Sequence, residues 1–282
     1  MITAIREERL AVVSDIHLGN PLFRARRPFV EFLKFALDRN LSVCLNGDGV
    51  DILQATVGRL TRELSDCALY FAKFAERNLR LYYVIGNHDL PLEHFLGDWG
   101  IVRCAPFLDV SSGEKRIRIE HGHLYDEMFV QYPRTFGVVT VLGSAALNLH
   151  PAVYNTFTGF HAALRRFGEW VWRSNVHGDD DATALARRIP GEQAAYLRAA
   201  REIASRGFDA VIFAHTHRAG TIDLGDGAQY FNTGAWDVNP HCALIEHGNV
   251  RLVPVMGGAI RGEWSRARGS WRMVQPLGGA DA

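Results

Sequence analysis

Apolar and amphipathic segments alternate through the first 85 residues of the chain. Three short runs, at 10–13, 41–45 and 81–85, are largely apolar, which is typical of buried strands. Between them, residues 29–37 place apolar side chains on one helical face, and residues 60–75 also predict a helix. The resulting βαβαβ order predicts a mostly parallel sheet that is covered by helices.

Further strands are indicated at 102–108 and 116–120, after which the pattern changes. From about 125 to 200 the sequence shows no clear strand, and we interpret this segment as a helical insertion or cap. Strand-like runs then return, and the later ones resemble an antiparallel meander that would form a second sheet. These runs occupy 210–214, 220–224, 228–231, 243–246 and 250–255. We therefore predict a single α/β domain over residues 1–282, with a tail containing Gly, Arg and Trp at about 257–282.

The composition narrows the class of protein. The chain has 31 basic and 31 acidic side chains, so its net charge is zero and no global basic field would attract nucleic acid. Its four cysteines form no Cys-x-x-Cys pair, which predicts a reduced, cytoplasmic protein in which Cys44 and Cys242 are buried. Charged residues at 6–9 argue against a signal peptide, and no apolar segment reaches the roughly 20 residues that cross a membrane.

Polar side chains follow several of the apolar runs directly, at the strand ends where α/β proteins build their sites. The candidate metal ligands are Asp15, His17, Asp48, Asn87, His121, His215 and His217. Carboxylate, amide and imidazole groups together suit Mn²⁺, Fe²⁺ or Zn²⁺, and the two oxygens of Asp48 could bridge two ions. The pairs at 15 and 17 and at 215 and 217 are spaced by two, so an extended backbone would place both members on one face.

The order of these residues resembles the calcineurin-like metallophosphoesterase superfamily. The motifs that carry the resemblance are Asp15-x-His17, Gly47-Asp48, Gly86-Asn87-His88-Asp89, His121 and His215-x-His217. The resemblance implies an α/β/β/α sandwich of two mixed β-sheets and a binuclear centre, with Mn²⁺ as the preferred metal, whose bridging hydroxide attacks phosphorus. It assigns Asp15, His17, Asp48 and His217 to one metal, and Asp48, Asn87, His121 and His215 to the other. Ala214 stands where the superfamily usually has Gly.

Two further residues receive catalytic roles from this resemblance. His88 would face the phosphate and stabilise the transition state or protonate the leaving oxygen. Asp51, three residues after Asp48, would orient His88, because a paired carboxylate raises the pKa of an imidazole and fixes its tautomer. From the sequence alone, a helix N-cap is an alternative role for Asp51.

The expected substrate is a phosphorylated small molecule or lipid. Residues 14–19 and 232–236 are more similar to UDP-2,3-diacylglucosamine pyrophosphatase-like proteins than to protein phosphatases, whose phosphate-clamping Arg is missing after Asp51. Residues 135–164 lack charged side chains and would form an apolar lid that contacts the inner face of the membrane peripherally. The candidate substrate-binding residues are Arg165, Arg166, Trp170 and Arg173. Alternatively, residues 136–149 form an ordinary buried helix and the tryptophans belong to the core.

Two other functions remain open at this stage. Nucleases of the same superfamily also carry Gly-Asn-His-Asp, so the substrate could be a nucleic acid or a cyclic nucleotide, although the zero net charge argues against DNA. The chain could instead be a non-catalytic scaffold on this fold, although scaffolds of this kind usually lose ligands. The sequence gives no role to Glu120, His123 or Asp126.

Overall fold

A computed structural model describes residues 3–20, 26–52, 54–126, 181–236 and 240–255, together with the backbone of two strands near the end of the chain. In chain order the strands are β1 (Ala4–Arg6), β2 (Arg9–Val13), β3 (Ser42–Asn46), β4 (Leu81–Val84), β5 (Gly97–Asp98), β6 (Val102–Ala105), β7 (Leu108–Ser112), β8 (Lys115–Ile119), β9 (Ala210–Phe213), β10 (Gly220–Gly225), β11 (Ala228–Asn232), β12 (His241–Glu246), β13 (Asn249–Pro254), β14 (Trp264–Ala267) and β15 (Ser270–Met273). The α-helices are α1 (Arg26–Asp38), α2 (Val57–Glu76), α3 (Asp181–Ala186) and α4 (Ala194–Ser205), and short 3₁₀ helices lie at Leu90–Phe95 and His123–Tyr125.

Two mixed sheets pack face to face. The first sheet has the order β13-β12-β2-β3-β4-β6-β5, and the second has the order β1-β7-β8-β9-β11-β10. Leu10, Val12 and Val84 of the first sheet meet Ile119 and Ile212 of the second in a core that excludes solvent. Strands β2, β3 and β4 are parallel and almost wholly buried, which explains why their sequences are continuously apolar.

Helices cover the outer face of each sheet. Helices α1 and α2 bury Phe29, Leu33 and Phe74 against the first sheet. On the second sheet, α3 and α4 pack around Tyr196 and Phe213. The α/β/β/α arrangement predicted from the sequence is therefore confirmed. Within the described residues, no helix combines the length and the apolar character needed to cross a membrane.

The strand pairing corrects two expectations. Strands β10 and β11 pair with β9 in the second sheet, whereas β12 and β13 pair with β2 in the first, so residues 220–255 do not form one meander. Residues 102–108 also divide between the sheets, because β6 ends at Ala105 and β7 begins at Leu108. Pro106 stands between them, and proline cannot donate a hydrogen bond to a ladder. The short edge strands β1 and β5 gave no signal in the sequence.

The predicted insertion and tail are described only in part. Of the segment at about 125–200, residues 127–180 lie outside the described residues, and the remainder contains α3 and the first half of α4. In the tail, β14 and β15 form an antiparallel hairpin whose backbone lies beside α1. All four cysteines are free and buried, as expected for Cys44 and Cys242.

Candidate metal centre

The carboxyl ends of neighbouring strands carry the predicted ligands. In the first sheet, β2, β3 and β4 lie side by side and lead into Asp15, Asp48 and Asn87. In the second sheet, the parallel strands β8 and β9 lead into His121 and His215. Because the carboxyl ends of parallel strands lie on the same side of a sheet, each sheet presents its polar side chains together. The strand ends of the two sheets meet where the side-chain amide of Asn46 donates to Glu120 O at 2.9 Å.

Five of the candidate ligands have a left-handed backbone. Their φ angles are 50° at Asp15, 51° at His17, 52° at Asp48, 63° at His215 and 60° at His217. Non-glycine residues rarely adopt this conformation, which costs about 1–3 kcal/mol each and is concentrated at functional sites. The extended backbone that we expected at 15–17 and 215–217 is therefore wrong. The paired side chains converge because each ligand stands in a tight turn after its strand.

The ligand atoms form overlapping groups in which every atom lies within 4.8 Å of the others. These groups are Asp15 with His17 and His217, Asp48 with His121 and His215, and His17 with Asp48 and His88. His217 Nε2 lies 3.1 Å from Asp15 Oδ1, and His121 Nε2 lies 3.4 Å from Asp48 Oδ2. Asn87 joins the second group because its Oδ1 lies 3.3 Å from His121 Nε2. All seven predicted ligands are thus brought to one place.

The residues present fit divalent cations. Burial raises the pKa of Asp15 and of Asp48, but the neighbouring imidazoles of His217 and His121 outweigh burial and hold both carboxyl pKa values below the usual range. His121 Nδ1 donates to Asn46 O at 2.8 Å, which leaves Nε2 as the nitrogen that can bind a metal. Buried carboxylates beside imidazole nitrogens and an amide oxygen are a donor set that Mn²⁺, Fe²⁺ and Zn²⁺ accept.

His88 and Asp51 stand beside this centre as the resemblance implied. His88 Nδ1 lies 3.2 Å from Asp51 Oδ1, while Asp51 Oδ2 accepts from Asn20 at 2.7 Å and lies 3.7 Å from His17 Nδ1. Burial opposes a charged imidazole, but the Asp48 and Asp51 carboxylates prevail and raise the pKa of His88 to about 9. The N-cap of α2 is Thr56, so Asp51 does not cap that helix.

Glycines allow the ligands to approach one another. A Cβ on Gly86 would lie 2.5 Å from the backbone nitrogen of Asp48 and 2.9 Å from its Cγ. At Gly47, whose φ is +77°, a Cβ would lie 2.7 Å from Cβ of His121. Both distances are far below normal contact, so these positions accept only glycine.

Asp89 is a buried residue beside the centre to which sequence reasoning gave no role. Its buried carboxylate accepts hydrogen bonds from Gly86 N at 2.6 Å, from Gly49 N at 3.1 Å and from the Tyr83 hydroxyl. It therefore ties the loop after β3 to the loop after β4. Burial and the nearby Asp48 raise the pKa of Asp89 to about 6. The signal was present in the sequence, because Asp89 closes the Gly-Asn-His-Asp motif.

Three residues after β8 had no role from the sequence: Glu120 makes structural contacts, whereas His123 and Asp126 lie beside candidate metal ligands. Glu120 accepts from Arg118 at 2.6 Å and from the Tyr125 hydroxyl at 2.7 Å, which is a structural arrangement. Asp126 Oδ2 lies 3.2 Å from His215 Nε2, and the His123 ring lies 5.5 Å from the ring of His121. Burial lowers the pKa of His123 to about 3. The predicted substrate-binding residues Arg165, Arg166, Trp170 and Arg173 lie outside the described residues.

Comparison with known proteins decides the family. A sequence model described as calcineurin-like phosphoesterase matches residues 8–219. The chain belongs to this family. A calcineurin-like phosphoesterase is a metal-dependent phosphohydrolase, and the Asp and His groups described above could hold its divalent metals.

Other comparisons add little to this assignment. No match was found among curated proteins. A solved structure described as "GAP50 the anchor in the inner membrane complex of Plasmodium" is similar at a TM-score of 0.45 and 10% identity, over 97% of this chain and 91% of that chain. At that TM-score and identity the likeness carries no inference for this calcineurin-like phosphoesterase.

Proposed function

We propose that this phosphohydrolase uses two divalent cations, Mn²⁺ in the first instance, to hydrolyse a phosphoric ester or anhydride. The observation that carries the proposal is the convergence of two donor groups, each with two buried members and one partly exposed member, from the strand ends of two sheets beside His88. In the proposed assignment one cation takes Asp15, His17, Asp48 and His217, and the other takes Asp48, Asn87, His121 and His215. When bound, such cations supply a water of lowered pKa and neutralise the charge that develops on phosphoryl oxygens.

The chain's own residues orient the substrate and move a proton. The side chain of His88 is 22% exposed, whereas Asp51 is fully buried behind it, so the imidazole faces the opening of the site. Because Nδ1 is engaged by Asp51, Nε2 is the atom that donates a proton to the leaving oxygen. Asp51 holds the charged form of His88 and fixes its orientation. The side chain of His217 is 38% exposed, so the centre is accessible to solvent at this residue as well.

The proposed substrate is a nucleotide-linked lipid such as UDP-2,3-diacylglucosamine, which is cleaved at its pyrophosphate. Support comes from the charge-free segment 135–164, which suits acyl chains, and from the absence of the protein-phosphatase Arg. Three residues of the similar segments, Ser14, Thr233 and Trp236, contribute less than the similarity implied. Ser14 Oγ lies 2.7 Å from Thr233 Oγ1, and Trp236 packs against Phe29, so these residues hold each other beneath the site and do not face it.

A substrate panel tests the proposal. Metal-stripped protein would be assayed with and without Mn²⁺ and detergent on bis-p-nitrophenyl phosphate, the nucleotide-linked lipid, single-stranded DNA and a cyclic nucleotide. We expect Mn²⁺-dependent hydrolysis that favours the lipid and is reduced about 10²–10⁴-fold in His88→Ala, the range for loss of a general acid. His247→Asn is the matched control, because His247 is exposed in the hairpin at the opposite end of the first sheet.

Each alternative function has its own result in this panel. Preferential cleavage of DNA or of the cyclic nucleotide would replace the lipid by the nucleic-acid or nucleotide substrate. Absence of hydrolysis on all substrates, in protein shown to hold Mn²⁺, would favour the non-catalytic scaffold. Equal activity of His88→Ala and the parent protein would refute the role of His88.

The proposed location is the cytoplasm, at the inner face of the membrane. The four free cysteines are consistent with a reducing compartment, and a lipid substrate requires access to a bilayer. Sedimentation with vesicles that contain anionic lipid would test this, with and without residues 135–164. Equal sedimentation of both forms would contradict a role of the insertion in membrane contact.

A further inference from the structure

Glu192 is a buried carboxylate that lies between α3 and α4 and contacts no predicted ligand. It is 7% exposed. Its Oε2 accepts hydrogen bonds from the Tyr230 hydroxyl at 2.9 Å, from Asn232 Nδ2 at 3.0 Å and from Thr216 Oγ1 at 3.2 Å. Its Oε1 accepts from the backbone N–H of Gln193 at 3.1 Å. These described partners are all neutral, so burial raises the pKa of Glu192 above its usual value.

The partner that matters for function is Thr216, because it stands between His215 and His217. Both histidines have a left-handed backbone, with φ of 63° and 60°. The backbone N–H of Thr216 donates to Ala214 O at 2.7 Å, so the chain turns sharply here. A tight turn that carries two adjacent ligands needs support from behind, because its backbone conformation is unfavourable on its own.

Asn232 provides the second half of that support. Its side-chain amide donates to Ala214 O at 3.1 Å and contacts Thr216 Oγ1 at 2.9 Å, in addition to Glu192. Its Oδ1 accepts from Gly234 N at 2.9 Å, which fixes the orientation of the amide. The turn is therefore bound at two points. Asn232 donates to the carbonyl of Ala214, and both Asn232 and Glu192 contact the hydroxyl of Thr216.

We propose that Glu192 is a positioning residue that holds His215, Thr216 and His217 in the conformation that binds metal. The inference rests on the proposed metal centre and adds to it a residue that touches neither metal nor substrate. Removing the carboxylate leaves the Thr216 hydroxyl and the Asn232 amide without a common anchor. The turn can then relax toward an ordinary backbone conformation, and both imidazoles move from their positions. Affinity for metal should fall even though every ligand is retained.

The chain offers a matched control in Glu7. This carboxylate is also partly buried, and it accepts hydrogen bonds from the Tyr82 hydroxyl at 2.6 Å and from Ser42 Oγ at 3.2 Å. Burial raises the pKa of Glu7 as well. Glu7 precedes β2 and contacts the start of β3, at the end of the first sheet opposite to the metal centre. Glu7→Gln therefore makes the same chemical change as Glu192→Gln, the loss of a hydrogen-bonded carboxylate, at a position far from the metal centre.

The test is calorimetric titration of metal-stripped protein with Mn²⁺, together with thermal unfolding of the metal-free forms. We expect Glu192→Gln to weaken Mn²⁺ binding about tenfold, the lower end of the range for residues that orient metal ligands. Thr216→Val should weaken it similarly, and the double variant should bind little worse than either single variant because one interaction is removed. Glu7→Gln should bind Mn²⁺ as the parent does.

Several results would overturn the inference. Glu192→Gln that binds Mn²⁺ as tightly as the parent would refute it, as would an equal loss in Glu7→Gln, which would indicate a general effect of stability. If Glu192→Gln does not fold, unchanged binding by Thr216→Val would refute it. A parent protein that binds no Mn²⁺, Fe²⁺ or Zn²⁺ would instead refute the metal centre itself, so the two failures are distinguishable.

Discussion

Gly86→Ala should disrupt the metal centre without unfolding the protein. A Cβ at this position would lie 2.9 Å from Cγ of Asp48 and 2.5 Å from its backbone nitrogen. Carbon atoms normally approach to about 3.5–4.0 Å, so the carboxylate would have to move by roughly 1 Å. Neither side of the contact can yield easily. Gly86 N is bound to Asp89 at 2.6 Å, and Asp48 O accepts from His17 N at 2.9 Å.

The expected loss of activity in Gly86→Ala follows from how little a metal site tolerates displacement of a ligand. Metal–ligand distances are held to about 0.2 Å, so a shift of about 1 Å in Asp48 removes it as a ligand. A misplacement of that size costs on the order of 10²-fold in rate. We therefore expect Mn²⁺-dependent hydrolysis of bis-p-nitrophenyl phosphate to fall about 100-fold in Gly86→Ala, with Mn²⁺ binding weakened in parallel.

Gly58→Ala is the control for this change. Gly58 lies in α2, and a Cβ there would meet no atom within 4 Å. Alanine at this position should raise the free energy of unfolding by at most about 1 kcal/mol, because glycine is unfavourable in a helix and this residue lies in the first turn. Activity should stay at the parent level. If Gly86→Ala kept activity within threefold of the parent, the close approach of the two loops would not be a requirement of the centre, and the reasoning would fail.

Three further results are expected. Leu10→Ala, which empties a fully buried position between the sheets, should lower the free energy of unfolding by about 2–5 kcal/mol in urea titrations, and a smaller loss would contradict tight packing there. Chelation of metal should lower the midpoint of thermal unfolding, because a ligand that binds only the folded state stabilises it, and re-addition of Mn²⁺ should restore it. For Glu7, the pKa is raised in the folded state, so the unfolded chain releases this proton first as pH rises above 4.5. The free energy of unfolding of the parent, relative to that of Glu7→Gln and measured with chelator present, should therefore decrease as pH rises. A difference that does not change with pH would refute the raised pKa of Glu7.

The sequence predicted the fold well where strands are buried on both faces. Runs at 10–13, 41–45 and 210–214 became β2, β3 and β9 with shifts of about one residue, because a short, continuously apolar run is typical of a strand that is covered on both sides. Pairing was harder to predict. The β10–β11 and β12–β13 hairpins have similar turns, with positive φ at both central residues, at 226–227 and 247–248. Nothing local to the hairpins indicates which sheet they join, because that is decided by pairing with β9 and β2, which are distant in sequence.

The sequence indicated which residues would meet at the site, but it did not indicate their backbone conformation. Position at a strand end and side-chain chemistry were enough to select the seven candidate ligands that the structure brings together. Glu192 gave no such signal, because no apolar strand precedes it and its partners at 216, 230 and 232 are distant in sequence. Its role becomes visible only when α4 packs on the second sheet and carries the carboxylate beneath the turn at 215–217.

The left-handed ligands explain why local propensity failed at the centre of the site. Asp15, His17 and Asp48 adopt a conformation that Asp and His disfavour in isolation, yet each is held by a bond from elsewhere in the fold. Asp15 N donates to Gly47 O at 3.1 Å, and His17 N donates to Asp48 O at 2.9 Å, so the two loops of the first sheet fix each other. The unfavourable backbone energy is offset by tertiary hydrogen bonds, and the side chains are left facing one another. The ligand geometry is therefore a property of the assembled strand ends and not of any single loop.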